Sequence, residues 1–241
     1  MTEEETITIT KTQLWQGVSG VLVLALALVV FAGLPSGADS TATGNNPSPA
    51  APGGDAPQPN QPQAESVGEV EVDPDRDPIL GDIDAPVTLV KFTDFGCVFC
   101  GRFYDETQGQ LVSEYVESGD LRIVYKDSPI TQLHPQAPNA HSAANCVFEQ
   151  AGHEAYYEYV STVYANQGQF SDSNVVQWAE DLGHDIQECY DTDDRTKIDE
   201  DLALAESTGF QGTPHFVLEG EVIRGAQPFN AFQQAINAEL S

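Results

Sequence analysis

Phe92-Thr93-Asp94-Phe95-Gly96-Cys97-Val98-Phe99-Cys100 is the stretch on which the fold turns. Before it runs Ala85-Pro86-Val87-Thr88-Leu89-Val90-Lys91-Phe92, apolar and rich in β-branched residues, which reads as a buried strand. After it a helical pattern extends to about Ser118. The two cysteines therefore stand where a strand passes into a helix. At such a junction the unpaired N–H groups and the helix macrodipole favour a thiolate on the first cysteine. The C-x-x-C spacing then carries the second sulfur to within disulfide reach, one turn further on. The motif alone is a moderate signal, and its place inside a β-α-β unit makes it a strong one.

Reading outward, Leu121-Arg122-Ile123-Val124-Tyr125 is the next strand, and the helix between the two makes a parallel crossover the natural topology. From about Pro135 to Ser207 the pattern is helical, over Ala137–Ala151, Glu154–Ala165, Ser173–Leu182 and Asp193–Ser207. His215-Phe216-Val217-Leu218, the turn Glu219-Gly220 and Glu221-Val222-Ile223-Arg224 form a hairpin, and an amphipathic helix runs from about Pro228 to Leu240. The order predicts an α/β domain over 76–241: a mixed sheet with a helical insertion at about 130–208.

Cys146 and Cys189 differ in kind from the first pair. They lie among helix-forming residues, far from Cys97 and Cys100 and without C-x-x-C spacing, which argues against a four-cysteine zinc site. A disulfide between them would stabilise the chain by roughly 4 kcal/mol through loop entropy, the alternative being two buried thiols. Such a disulfide needs an oxidising compartment, which puts the domain outside the cytoplasm. The five histidines (His134, His141, His153, His184, His215) show no metal-ligand spacing and read as surface or internally satisfied rings. His215 follows the Thr213-Pro214 pair and is the one candidate for tuning the cysteines. The Asp191–Asp194 run lacks the glycine and final glutamate of a calcium loop. No metal and no cofactor are expected.

The first 75 residues divide by composition. Met1–Gln13 is polar; Leu14–Leu34 is 21 residues with only Gln16 and Ser19 clearly polar. A helix of that length spans roughly 30 Å, the thickness of a bilayer core. It reads as an uncleaved anchor, with a signal peptide cut near Ser36-Gly37-Ala38 as the alternative. Residues 35–75, rich in Pro, Gly, Ala, Asn, Ser and Gln, read as a disordered linker. The expected arrangement is a cytoplasmic tail, one transmembrane helix and a tethered extracytoplasmic domain. The chain's 38 acids and nine bases give a net charge of −29. Ten of those acids and one base fall in residues 1–75, so the domain itself keeps 28 acids against eight bases. That excludes a generic nucleic-acid binder. It also suggests adaptation to salt, where a Debye length of about 3 Å at molar strength screens the repulsion.

With Asp77-Pro78-Ile79-Leu80-Gly81-Asp82, Ala85-Pro86-Val87-Thr88 and the Phe92–Cys100 run, followed by Gly209-Phe210-Gln211-Gly212-Thr213-Pro214, the chain resembles the DsbA-type thiol–disulfide oxidoreductases over about 76–241. The resemblance implies a thioredoxin-like fold with an inserted helical domain and a cis Thr213-Pro214 bond against the active-site pair, able to hold an extended substrate segment. It implies an exposed, exchange-active Cys97 and a buried Cys100, protein thiols as substrates, and a membrane redox partner that recycles the pair. Two features depart from the family. Val98-Phe99 replaces the usual Pro-His or Pro-aromatic dipeptide, and Lys91 stands where an acid is usual. Both bear on redox tuning: an ammonium about 6 Å from Cys97 would favour its thiolate by roughly 3 kcal/mol at an effective dielectric near 20. The expected function is an oxidase. The alternatives are a reductase in cofactor or cytochrome maturation and a non-catalytic peptide-binding module; the linker offers no dimerisation domain for an isomerase.

Overall fold

The computed structural model describes residues 67–193 and 195–241. The segments read as tail, anchor and most of the linker lie outside these, and so does Asp194. Among the described residues no helix is long and apolar enough to cross a membrane.

Five strands form one sheet in the order β1-β3-β2-β4-β5. β2 (Val87–Thr93) and β3 (Leu121–Asp127) are its centre and run parallel, Leu89 opposite Ile123 and Lys91 opposite Tyr125. β4 (His215–Leu218) lies antiparallel on β2, and β5 (Glu221–Arg224) antiparallel on β4. The turn between them has Glu219 at φ 44° and Gly220 at φ 88°, the two positive values a tight hairpin turn needs. β1 (Ile79–Leu80), too short to show in the sequence pattern, closes the other edge against β3.

Because β2 and β3 are central, both their faces are covered, and strand alternation sorts their side chains into two cores. Leu89, Phe95, Leu121, Ile123 and Tyr125 face the main one, with the helices. Val90, Phe92, Val124, Val217 and Val222 face a smaller one. Val67, Val70 and Val72 pack on the smaller core, and the Val67 N–H donates to the Gly220 carbonyl at 2.8 Å. Residues 67–75, expected to be linker, therefore pack on the domain. Their three valines are a short apolar face that the surrounding polar composition hid. Asp77 then anchors the chain in a buried ionic cluster, 2.6 Å from Lys126 and 3.2 Å from Lys197, with Asp201 completing it.

α1 (Val98–Phe103) begins inside the C-x-x-C, directly after Cys97, and continues as wider helical turns to Val116. The insertion comprises α2 (Ala137–Ala165), α3 (Asp172–Asp181), α4 (Gln187–Thr192) and α5 (Thr196–Ser207), and α6 (Phe229–Glu239) ends the chain. α2 breaks at Gly152, whose φ of 79° leaves the helical region, so the two helical patterns of the sequence are halves of one kinked element. The last helix of the insertion starts at Thr196 rather than Asp193, because Arg195 takes a left-handed conformation at φ 62°. α4 is an addition to the elements expected from periodicity. Cys189 on it is joined to Cys146 on α2, with Cα atoms 5.8 Å apart.

Candidate active site

β2 ends at Thr93, and the next four residues turn the chain into α1. Asp94 holds this turn: one carboxylate oxygen accepts from the Gly96 N–H at 2.8 Å, the other from the Ile130 N–H at 2.9 Å and from His134 Nδ1 at 2.7 Å. His134 lies close against Gly96, where a Cβ would come within 2.6 Å of it, so only glycine fits. On the other side Gln167 donates to the Phe95 and Cys97 carbonyls at 2.7 and 3.1 Å. Phe95 stacks on His141 at 4.2 Å and gives its N–H to His141 Nε2 at 3.2 Å. That contact fixes the tautomer, so Nδ1–H donates to Asp127 at 2.6 Å. Asp94, inside the quoted Phe92–Cys100 run, and His134, His141 and Gln167 are positioning residues; the last three come from distant parts of the chain, and no local motif marks them.

Cys97 is the residue before α1, in extended conformation, and its carbonyl accepts from the Cys100 and Gly101 N–H groups at 3.0 and 3.2 Å. Both active-site cysteines are thiols. The Cys97 pKa falls from 9.0 to about 5. The Cys100 thiol, as donor to it, is the largest cause, and Thr213 and the Cys100 and Phe99 N–H groups add to it against the cost of burial. Cys100 goes the other way: complete burial and the neighbouring Cys97 push its thiol well above 9.0. One sulfur is thus an anion at neutral pH and the other holds its proton. Expected to be exposed, Cys97 is only 7% accessible, against 0% for Cys100, because the loop of Thr213 covers it. The Cys97 sulfur is 3.3 Å from the Thr213 carbonyl, and the Thr213–Pro214 peptide is cis. Val98 and Phe99, between the cysteines, project outward at 69% and 52% exposure, and Leu133, beside His134, is 69% exposed.

His215 is no part of this group. It is buried behind the sheet, stacked on Phe92 at 4.5 Å, its nitrogens paired with the Gly212 carbonyl and Thr208, and burial lowers its pKa to about 4. Lys91 does not reach solvent either. It lies wholly inside the main core, and the redox sulfur it interacts with is that of Cys100. The groups that set the Cys97 thiolate are Cys100, Thr213 and the first N–H groups of α1. Among the described residues no cluster of His, Cys, Asp or Glu could hold a metal ion.

A sheet of this order, carrying a low-pKa and a high-pKa thiol side by side at a strand-to-helix junction, defines a thioredoxin-like thiol–disulfide oxidoreductase. Residues 74–238 match the model of the Thioredoxin_4 family, described as thioredoxin, and the chain belongs to that family. Its enzyme class is DsbA-family thiol–disulfide oxidoreductase. Among solved structures it is similar to BdbD from Bacillus subtilis in the oxidised form, with a TM-score of 0.65 and 17% identity, over 73% of this chain and 99% of that one. A thioredoxin-like oxidoreductase from Silicibacter pomeroyi gives a TM-score of 0.59 and 29% identity, over 69% of this chain and 92% of that one. Among curated proteins, one from Salinispora arenicola named Na(+)/H(+) antiporter NhaA 1 is 30% identical over 176 residues, 71% of this chain and 26% of its own length. The chain thus spans about a quarter of the length of the curated relatives it matches.

Exchange follows from the geometry. In the oxidising direction a substrate thiolate attacks Cys97 of the disulfide, and Cys100 departs with the electron pair. A second substrate thiolate then attacks the substrate sulfur of the mixed disulfide, and Cys97 leaves as the anion the helix start already stabilises.

Proposed function

We propose that the protein is a membrane-tethered extracytoplasmic oxidase that passes the Cys97–Cys100 disulfide to protein thiols and is recycled by a membrane redox partner. The observation that carries this reading is the Cys97 pKa of about 5. At pH 7 such a thiolate stabilises the reduced form by about 3 kcal/mol relative to a thiol of pKa 9, which for two electrons is about 60 mV. That is a large share of the roughly 150 mV separating the potentials of thioredoxin and DsbA, so it favours the oxidising end. Equilibration of the purified protein with glutathione buffers is expected to give a potential nearer about −120 than −270 mV. A value at the reducing end would replace this reading by the reductase alternative.

Three further features support it. The Thr213 carbonyl beside the Cys97 sulfur offers an acceptor to an extended peptide. Val98, Phe99 and Leu133 give the surroundings of the pair an apolar surface suited to unfolded chains. The matching region of the Salinispora protein is part of a far longer chain named for ion exchange, which suits a domain working at a membrane. The apolar run at Leu14–Leu34 supplies the tether, and the Cys146–Cys189 bond fits an oxidising compartment.

The charge of −29 adds that this takes place in concentrated salt. Thermal unfolding followed by circular dichroism is expected to show a clearly higher midpoint in molar potassium chloride than in dilute buffer, because screening removes carboxylate repulsion. Equal midpoints would refute the salt adaptation and leave the redox assignment standing.

A further inference from the structure

Arg102 is a surface cation on an acidic domain, and the exchange steps above leave it without a task. Residues 76–241 hold 28 acids against eight bases. Of these bases Lys91 is buried, Lys126 and Lys197 sit in the ionic cluster around Asp77, and Arg76 is paired with Glu200. Arg102, two residues after Cys100, is exposed, and among the described residues no carboxylate pairs with it. A base in the last turn of a helix stabilises the carbonyl end, but the chain stays helical past α1 to Val116, so Arg102 has no helix end to serve.

Two contacts fix this side chain at the mouth of the site. The guanidinium carbon lies 5.1 Å from the centre of the Phe99 ring, one helical turn back, and Phe99 stands between the cysteines at 52% exposure. On the other side a guanidinium N–H donates to the Ala226 carbonyl at 3.3 Å. Ala226 follows Gly225, whose N–H donates to the Pro214 carbonyl at 2.9 Å, and the Thr213 carbonyl is the one beside the Cys97 sulfur. The cation thus ties α1 to the loop next to the cis peptide. A guanidinium carries five N–H donors in one plane, and this one spends a single long bond on the protein. Stacking on Phe99 leaves the edge of that plane open and restricts the side chain beforehand, so less freedom is lost when a ligand binds.

We infer that Arg102 determines substrate specificity: its guanidinium takes a carboxylate of the substrate, an Asp or Glu side chain close to the reacting cysteine, so that the protein prefers acidic segments. Among side chains, only carboxylates offer the two coplanar acceptors that match the guanidinium fork. The apolar surface of Val98, Phe99 and Leu133 attracts a chain whatever its charge, and the domain's excess of acids repels carboxylates at a distance. Arg102 reverses that repulsion at one place, beside the cysteine pair. The exchange steps stay as described; the pairing selects which thiol enters them. The inference rests on the exchange reading of the cysteine pair and names the substrate class for that same site.

The test uses reduced peptides that are alike except that the residues flanking a single cysteine are Glu, Gln or Lys. Each is mixed with the oxidised full chain in salt at which circular dichroism shows the protein folded. The quantity read is the rate with the Glu peptide over the rate with the Gln peptide. It is compared between proteins, so that the peptides' own thiol acidities cancel. The unsubstituted protein is expected to give a ratio about threefold to fivefold above that of Arg102→Gln, the upper part of the range for an exposed ion pair. Arg102→Glu is expected to lower the ratio further and to raise the rate with the Lys peptide relative to the Gln peptide. Arg76→Gln makes the same change in net charge elsewhere and is expected to keep the unsubstituted ratio. An unchanged ratio in Arg102→Gln would overturn the inference. So would an equal fall in Arg76→Gln, which would mean long-range charge alone, or a slowing of all three peptides alike, which would mean a structural role. Failure of the unsubstituted protein to exchange with any peptide would overturn the exchange reading itself, so the two failures are told apart.

Discussion

A Cys97→Ser chain is expected to lose disulfide exchange altogether, and a Cys100→Ala chain to stop half-way with substrate bound to Cys97. Turnover should fall on the order of a thousandfold or more in each, because the nucleophile and its partner act as a unit. Only Cys100→Ala should accumulate adducts that reductant releases on gels. The reactive state of Cys97 has its own signature. With a pKa of about 5, it is about 99% thiolate at pH 7, against about 1% for a thiol near 9. Yet nucleophilicity falls with pKa at a Brønsted slope of about 0.4–0.5, which offsets most of that roughly hundredfold gain. The height of the alkylation rate at pH 7 therefore says little, and its shape says much. Iodoacetamide modification of Cys97 is expected to stay flat from about pH 9 to pH 6 and to halve near 5, where an unperturbed thiol would lose tenfold per unit. In Cys100→Ala the midpoint should move upward, since the Cys100 thiol is the largest stabiliser of the anion. A midpoint that stays near 5 would shift the credit to the helix start and Thr213.

The dithiol and the order of elements were legible because each is written locally. A buried strand, a C-x-x-C and a helical pattern are contiguous, and the motif itself supplies both the helix start and the Cys100 thiol that chiefly stabilises the Cys97 thiolate. The cis bond at Pro214 was legible only through the family resemblance, since a proline opening a strand has no local mark of its isomer. What was not legible arises between segments distant in sequence. Gln167 reaches the Cys97 carbonyl across 70 residues, and His141 reaches Phe95 across 46. An isolated glutamine or histidine carries no spacing that announces such a role. Lys91 shows a different limit. The residues around it read correctly as a buried strand, but a lysine can lie inside or run its stem to solvent, and only the rings of Phe103, Tyr104, Tyr125 and Tyr164 decide between them. The packing of Val67 on the domain was hidden because it pairs with a hairpin turn far along the chain, at Gly220.

The second large effect concerns the other cysteines. Replacing both, as Cys146→Ala with Cys189→Ala, is expected to destabilise the domain by about 4 kcal/mol, from the entropy of closing a loop with a sequence separation of 43. Where the loss falls follows from packing. Cys146 is 2% exposed and embedded in the main core on α2, and its side of the bond is held by its neighbours. α4, which carries Cys189, has six residues and none of them buried. Too short to be stable alone, it depends on the disulfide and on a few contacts such as Tyr190 to Asp172 at 2.9 Å. The double variant should therefore lose amide protection first over α4, while β2, α1 and the Cys97 turn keep theirs and disulfide exchange continues. Urea unfolding of the two proteins in the same salt, with hydrogen exchange resolved by segment, measures both parts. A destabilisation below about 1 kcal/mol would mean that the unfolded chain already holds this loop compact, so that the bond constrains little. Loss of protection at the Cys97 turn would instead show that α2 transmits strain from the insertion to the site through Gln167 and His141, and exchange would then fall together with stability.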